Sequence, residues 1–145
     1  MNNRYLSVKR IFLGVWFLWA ACSPSISLFS PQAYENATSL KVEALQIMAQ
    51  ATESYPQHAP EVSKLITNVE KAYEYAKGYP KNELSTEQWE ILKNPDGNLL
   101  GGFLARWQKD TTLSKVFVTE MSGLVGDAFD TIIELESQKI GATSK

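Results

Sequence analysis

The chain has 145 residues, of which 44% are hydrophobic and 21% are charged, and its formal net charge is −2. This composition fits one domain around one hydrophobic core, and it excludes a disordered chain and a multi-span membrane protein. The single Cys and single His exclude an internal disulfide framework and an ordinary zinc site built within one chain.

The first 21 residues have the layout of a secretory signal peptide. A basic head contains Arg4, Lys9 and Arg10, and an uninterrupted apolar run follows over residues 11–21. A helix of that length rises about 16 Å, roughly half the thickness of the hydrocarbon core of a bilayer. The run is therefore too short for a permanent span and suits the hydrophobic region of a signal peptide.

The end of this run resembles the lipobox of bacterial lipoproteins. Residues 18–21, Leu-Trp-Ala-Ala, precede Cys22, although Trp19 stands where the family usually has an aliphatic residue. The resemblance implies that Cys22 is lipidated on sulfur, that residues 1–21 are removed, and that the new N-terminus is acylated. In Gram-negative lipoproteins an Asp directly after the Cys favours retention in the inner membrane. Ser23 at that position implies the periplasmic face of the outer membrane.

Two alternatives to lipidation remain: an uncleaved anchor, and cleavage by an ordinary signal peptidase. Ordinary cleavage requires small residues one and three positions before the cut, and Leu18 or Trp19 breaks this rule at the best candidate sites. A cut after Ser23 satisfies the rule but places Pro24 directly after the bond. The lipobox interpretation is therefore preferred.

The predicted processing changes the charge of the chain. Removal of residues 1–21 leaves 11 basic against 16 acidic residues, a net charge of −5. An acidic body argues against binding to nucleic acid and against electrostatic adhesion to anionic lipid heads. Membrane attachment would then come from the acyl chains at Cys22. We expect residues 22–30 to form a flexible linker that holds the body away from the lipid heads.

Residues 31–140 carry apolar residues at helical spacing and predict an all-α fold, a small antiparallel bundle of four or five helices. Ser30 can cap the first helix, and Pro56 ends it. The second helix begins near Pro60 and ends at Gly78. Alternation of apolar and polar residues never persists long enough to indicate a strand.

Three further helices complete the predicted domain. The third opens at a capping box over residues 85–88, Ser-Thr-Glu-Gln. A turn at 94–98 separates it from the fourth. The last and longest helix begins after Thr112, and its apolar stripe includes Leu124 and is broadened by Val125 and Phe129. Residues 141–145 form a frayed tail.

Candidate chemistry in this domain has simpler structural interpretations. His58 lies in the loop predicted between the first two helices, and no nucleophile motif accompanies it. Asn94, Asp96 and Asn98 alternate as in a calcium loop, but the Gly and Glu that the EF-hand template requires are missing. Acidic pairs such as Glu134 and Glu136 are interpreted as helix-surface charges. We predict no catalytic residue, no metal site and no cofactor.

Two further features have a structural and a functional interpretation. Gly101-Gly102 could bind an anion at a helix N-terminus, but no basic residue lies between Lys93 and Arg106, so we predict a close helix–helix contact. Core packing is the preferred explanation for most of the Tyr and Trp residues, although these types are also common at interfaces. Because Tyr73 and Tyr75 cannot both face the same core, one of them should point outward. The Tyr and Trp residues in question are Tyr73, Tyr75, Tyr79, Trp89 and Trp107.

The sequence therefore predicts a lipid-anchored, non-enzymatic envelope lipoprotein whose acidic helical domain binds a protein partner and no nucleic acid. The alternatives are a periplasmic carrier with an apolar ligand between its helices, and an enzyme with a carboxylate-only site. An exposed aromatic patch without a cavity would favour partner binding, and an enclosed apolar cavity of roughly 300 Å³ or more would favour a carrier. A cleft with paired carboxylates of raised pKa would favour an enzyme.

Overall fold

The computed structural model describes residues 26–142, which form five α-helices and no strand. The helices are α1 (Pro31–Ala49), α2 (Tyr55–Gly78), α3 (Glu83–Lys93), α4 (Leu100–Asp110) and α5 (Lys115–Ala142). The predicted all-α bundle is thereby confirmed. Within this part of the chain, none of the helices combines the length and the apolar character needed to cross a bilayer. Cys22 and the predicted signal peptide lie outside the described residues.

Four of the helices form a closed ring around the core. α1 packs against α2 and α5, and α3 packs against the same two helices from the opposite side. α4 packs across α2 and α3. The ring has two ends. The Ile26 end comprises the start of α1, the end of α2, the start of α3 and the end of α5. The α4 end comprises the opposite termini together with α4.

Large apolar side chains fill the space inside the ring. The Trp89 ring meets the Phe129 ring edge-on, with 5.9 Å between centroids, which joins α3 to α5. The buried face of α5 contains Val125 and Phe129, as predicted, whereas Leu124 is exposed although the predicted stripe includes it. The largest fully buried apolar side chains are Trp107, Phe103, Phe129, Met48, Leu65, Leu92, Leu100, Ile132, Val62 and Val125.

The boundary between the first two helices differs from the prediction. α1 ends at Ala49, and Pro56 lies in the first turn of α2 instead of ending α1. Proline is tolerated there because the first N–H groups of a helix have no intrahelical partner. Pro60 lies one turn further on, where its missing N–H leaves only the Pro56 carbonyl without a helical donor. The sequence prediction was wrong here because it took Pro56 as the end of the first helix and Pro60, rather than Tyr55, as the start of the second.

Two predicted helix caps also differ from the observed ones. α3 begins at Glu83 with Asn82 as its N-cap, so Ser85 lies inside the helix and is buried. The predicted capping box at 85–88 is therefore wrong. The last helix begins at Lys115, and the Ser114 hydroxyl, rather than Thr112, accepts a hydrogen bond of 3.3 Å from the Phe117 N–H. The cap that was predicted at Ser30 is present, because its hydroxyl accepts from the Ala33 N–H at 3.2 Å.

The predicted close contact at Gly101-Gly102 is confirmed. A Cβ added to Gly101 would overlap the Lys93 carbonyl at the end of α3, and one added to Gly102 would overlap the Gly97 carbonyl in the turn. The two glycines therefore let α4 fold back closely over the turn that precedes it.

The segment before α1 is packed on the domain, although the sequence predicts a flexible linker as far as residue 30. The Ser27 N–H donates to the Lys81 carbonyl at 2.9 Å, and its hydroxyl donates to Asn82 Oδ1 at 3.1 Å. Ser30 is buried and lies 2.8 Å from the Tyr75 hydroxyl. Residues 26–30 therefore belong to the folded domain.

Candidate binding groove between α2 and α4

A groove of about 290 Å³ lies on the surface where α4 crosses α2. It exists because α4 packs across α2 and α3 instead of extending one of the helices of the ring. Beneath it, Val69 and Leu100 close a smaller depression of about 50 Å³. The residues that line the larger groove are Tyr55, Ile66, Glu70, Lys93, Pro95, Gly101, Leu104, Ala105 and Gln108.

The floor of the groove is apolar and partly open to water. Ile66 projects from α2 with 51% of its surface exposed, next to the nearly buried Leu104 of α4. Gly101 of α4 also lines the groove and adds no side chain to it. Two other depressions of about 270 and 260 Å³ border α1 and α2, but polar and charged residues dominate their linings. Of these three depressions, the α2–α4 groove has the most apolar lining.

One rim of the groove carries a fixed pair of opposite charges. Lys93 Nζ lies 3.0 Å from Glu70 Oε2 and 4.3 Å from the centre of the Tyr73 ring. The ion pair and the cation–π contact together hold the ammonium group of Lys93 in one position, although a half-exposed pair of this kind contributes little to stability. The groove thus presents an apolar floor beside one defined donor and one defined acceptor.

The aromatic residues separate into core and surface groups, as predicted. Trp89 and Trp107 are buried, and Tyr73 packs against the core while Tyr75 is exposed. Tyr75 stacks on Tyr79, with 6.0 Å between the ring centres. The exposed aromatic pair therefore lies at the Ile26 end and not in the groove.

His58 lies in the first turn of α2 and not in a loop, which corrects the prediction. Its Nε2 lies 3.0 Å from Glu53 Oε2, its Nδ1 lies 3.4 Å from Glu61 Oε2, and its ring faces Trp107 with 5.5 Å between centres. The hydrogen bond to Glu53 raises the pKa of His58, the bond to Glu61 adds to this effect, and partial burial opposes it. These contacts give His58 a structural role where the α1–α2 connection and α2 pack against α4.

We expect the domain to lose stability as pH rises through the raised pKa of His58. A raised folded-state pKa stabilises the protonated fold, so the contribution is complete below the unfolded value of about 6.5 and disappears above the folded value. Because His58 is the only imidazole of the chain, one ring resonance in an NMR titration reports its pKa. Glu53→Gln should lower that pKa, and His58→Gln should remove this pH dependence of the unfolding free energy. A folded-state pKa of 6.5 or below would contradict the assignment.

The remaining candidate residues have structural roles. Asn94 Oδ1 accepts from the Asp96 N–H and the Asn94 carbonyl accepts from the Gly97 N–H, both at 3.0 Å, so the predicted turn is confirmed. Residues 26–142 contain no group of three His, Cys, Asp or Glu side chains that could hold a metal ion.

A buried polar cluster joins α3 to α5, and the sequence interpretation missed it. Glu136 and Lys139 are only 1% and 5% exposed, so the interpretation of Glu136 as a surface charge was wrong. Lys139 Nζ lies 2.6 Å from Glu136 Oε1, and it donates to Asn82 Oδ1 at 2.5 Å and to Ser85 Oγ at 3.1 Å. These acceptors account for the three ammonium hydrogens, so the cluster is structural rather than a ligand site.

The signal for this cluster was present in the helical register of α5. Glu136 follows the buried Ile132 by four residues and the buried Phe129 by seven, so it continues the same face of the helix. Lys139 follows three residues later on that face. A charged pair that continues an apolar stripe indicates a buried ion pair, provided that other helices supply the remaining partners.

Comparison with protein-family models, with curated proteins and with solved structures gives no match to this chain.

Proposed function

We propose that this chain is a lipid-anchored envelope lipoprotein, not an enzyme, whose helical domain binds a protein partner in the α2–α4 groove. The observation that carries the partner-binding part is the apolar floor of the groove around Ile66 and Leu104, beside the fixed Glu70–Lys93 pair. The lipobox at Cys22 supports the anchor and the periplasmic face of the outer membrane.

The shape of the groove favours a protein partner over the carried ligand of the alternative proposal. Protein interfaces combine a small apolar centre with a polar rim, and Ile66 with the Glu70–Lys93 pair forms such an arrangement. An apolar small molecule in a surface groove would keep part of its area in water, whereas carrier sites enclose most of their ligand. Glu70 is paired with Lys93, which argues against a site of two carboxylates with raised pKa.

The anchor is tested at Cys22. Cys22→Ala should leave a precursor of full length and abolish labelling by a fatty-acid analogue, because the modified thiol is lost. Ser25→Ala keeps the thiol and serves as the matched control, so it should be processed and labelled normally. Membrane fractionation should recover the wild type with the outer membrane. Normal processing of Cys22→Ala would contradict the anchor, and recovery with the inner membrane would contradict the placement.

The groove is tested by site-specific photocrosslinking in intact cells that produce the full chain. A photoreactive residue at Ala105 should give a discrete protein adduct, and Ile66→Asp in the same chain should abolish it, because a charge would then lie on the apolar floor. Val42→Asp is the matched control, since Val42 of α1 is similarly exposed but lies outside the groove. An adduct that survives Ile66→Asp would contradict the site. An adduct with the mass of a lipid would favour the carrier.

A further inference from the structure

We propose that the Ile26 end of the bundle lies on the bilayer surface and inserts its exposed apolar side chains into the lipid interface. This inference rests on the lipid anchor of the proposed function. The described residues include eleven exposed large hydrophobic side chains, and six of them lie at this end, all outside the groove proposed for the partner. We call these six the lipid-facing patch: Ile26, Leu28, Tyr34, Tyr75, Leu84 and Ile140.

The members of the patch lie on segments that meet at the Ile26 end. Ile26 and Leu84 line the same shallow depression between the N-terminal segment, α3 and α5. Ile140 follows Lys139, which is bonded to the Asn82 cap of α3. On the other side, Tyr75 contacts Ser30 and stacks on Tyr79. The six exposed apolar groups therefore cluster at one end of the bundle and are not scattered singly over the surface, which would need no explanation.

In the N-terminal segment a polar side chain points inward and its apolar neighbours point outward, the reverse of an ordinary surface segment. Ser27 is buried, whereas its neighbours Ile26 and Leu28 are exposed, Leu28 by 52%. In water the reverse orientation would bury more apolar area. The hydrogen bonds of Ser27 to Lys81 and Asn82 hold the segment in this orientation. A fold that fixes apolar side chains outward indicates that their surroundings are themselves apolar.

The covalent distance to the anchor places this end beside the membrane. Residues 22 to 26 are four peptide units apart, which span at most about 14 Å when fully extended. The acyl chains fix the position of Cys22 at the interface, and the polar layer on each side of the hydrocarbon core is roughly 5–8 Å thick. Ile26 therefore lies within about 14 Å of the anchored residue, and the patch at this end is within reach of the lipid.

The charges around the patch favour neutral lipid over an anionic surface. The basic residue Lys77 is paired with Glu74 at 3.6 Å, and exposed Lys81 lies close to exposed Glu83. Mixed charges of this kind give little attraction to acidic headgroups. Tyr75 and Tyr79 supply aromatic rings with a polar hydroxyl, a combination that suits the boundary between headgroups and acyl chains. Binding should therefore depend on apolar insertion and be insensitive to salt.

The test uses the mature, lipidated full chain in phosphatidylcholine vesicles. Cys22 is the only cysteine of the chain, so once it is acylated, an introduced cysteine is the only thiol that a fluorescent probe can label. Leu28→Cys and Ile140→Cys place the probe in the patch. Val116→Cys is the control, because Val116 is 68% exposed in the first turn of α5 at the α4 end. All three positions are exposed, and circular dichroism checks that the helices persist.

We expect probes at positions 28 and 140 to show blue-shifted emission and several-fold slower quenching by iodide than the probe at 116. High salt should leave this difference unchanged. Equal quenching at the three positions would overturn the proposal. Protection that disappears when the protein is diluted with excess lipid would also overturn it, because a second copy of the chain would then be the occupant.

Mass spectrometry of the N-terminal peptide separates this proposal from the anchor on which it rests. Acylated Cys22 with iodide-accessible probes in the patch would overturn only the contact with lipid. Unmodified Cys22 would remove the anchor, and the membrane contact with it.

Discussion

Phe129→Ala is expected to lower the free energy of unfolding by about 3–5 kcal/mol, a range typical of large-to-small substitutions in a core. The Phe129 ring is fully buried, and its edge-to-face contact with the Trp89 ring joins α5 to α3. Its removal loses the transfer free energy of the ring and leaves a cavity that rigid neighbouring helices fill only in part.

Urea denaturation followed by circular dichroism measures this loss. Leu124→Ala is the matched control, because Leu124 lies on the same helix but is exposed. That substitution should change the unfolding free energy by no more than about 0.5 kcal/mol. Similar losses in the two variants would mean that the buried face of α5 is assigned incorrectly.

Lys139→Met is expected to cost about 3–5 kcal/mol, because it leaves the carboxylate of Glu136 buried without its partner. The ammonium group of Lys139 also donates to Asn82 and Ser85, so its removal takes a donor from the Ser85 hydroxyl and leaves Asn82 Oδ1 with the Ser27 hydroxyl alone. Glu136→Leu should have a comparable cost for the complementary reason, since it leaves a buried cation.

The double variant Glu136→Leu/Lys139→Met should lose much less than the sum of the two single changes. A buried ion pair often stabilises a fold no more than apolar groups of similar volume do. Most of the stability lost in each single variant therefore comes from the charged side chain that stays buried without its partner in the pair. A double-mutant cycle from urea denaturation measures the coupling. Lys41 and Asp130 form a more exposed pair between α1 and α5 and provide the control, with an expected coupling below about 1 kcal/mol. Equal coupling in the two pairs would contradict the structural role of the cluster.

Local patterns were sufficient to predict the fold class and much of the core. The apolar spacing of α5 selected Val125 and Phe129. The close approach at Gly101-Gly102 was predicted in preference to an anion site, because no basic residue lies between Lys93 and Arg106. The Ser30 cap was also predicted correctly. These features depend on residues within one or two helical turns of each other, so the sequence contains all the information that they need.

The errors at helix boundaries arose where tertiary contacts outweigh local preference. Residues 85–88 satisfy the capping-box pattern, but Ser85 instead lies inside α3, where its hydroxyl accepts from Lys139 of α5. Pro56 and Pro60 were taken as boundaries, but the joint with α4 supports a start of α2 at Tyr55, whose N–H donates to the Thr111 carbonyl at 2.8 Å. Neither partner is near in sequence, so no local pattern could indicate them.

The sequence by itself determined the helical spacing, the acidic charge and the resemblance of residues 18–22 to a lipobox, because composition and local pattern are sufficient for each. Only the tertiary structure decided that Glu136 is buried, that Ser27 points inward while Leu28 points outward, and that α4 crosses α2 to form a groove. Each of these features results from contacts between segments that are distant in the sequence. Burial and exposure are properties of the packed ring, and the periodicity of a single helix specifies only which residues share a face.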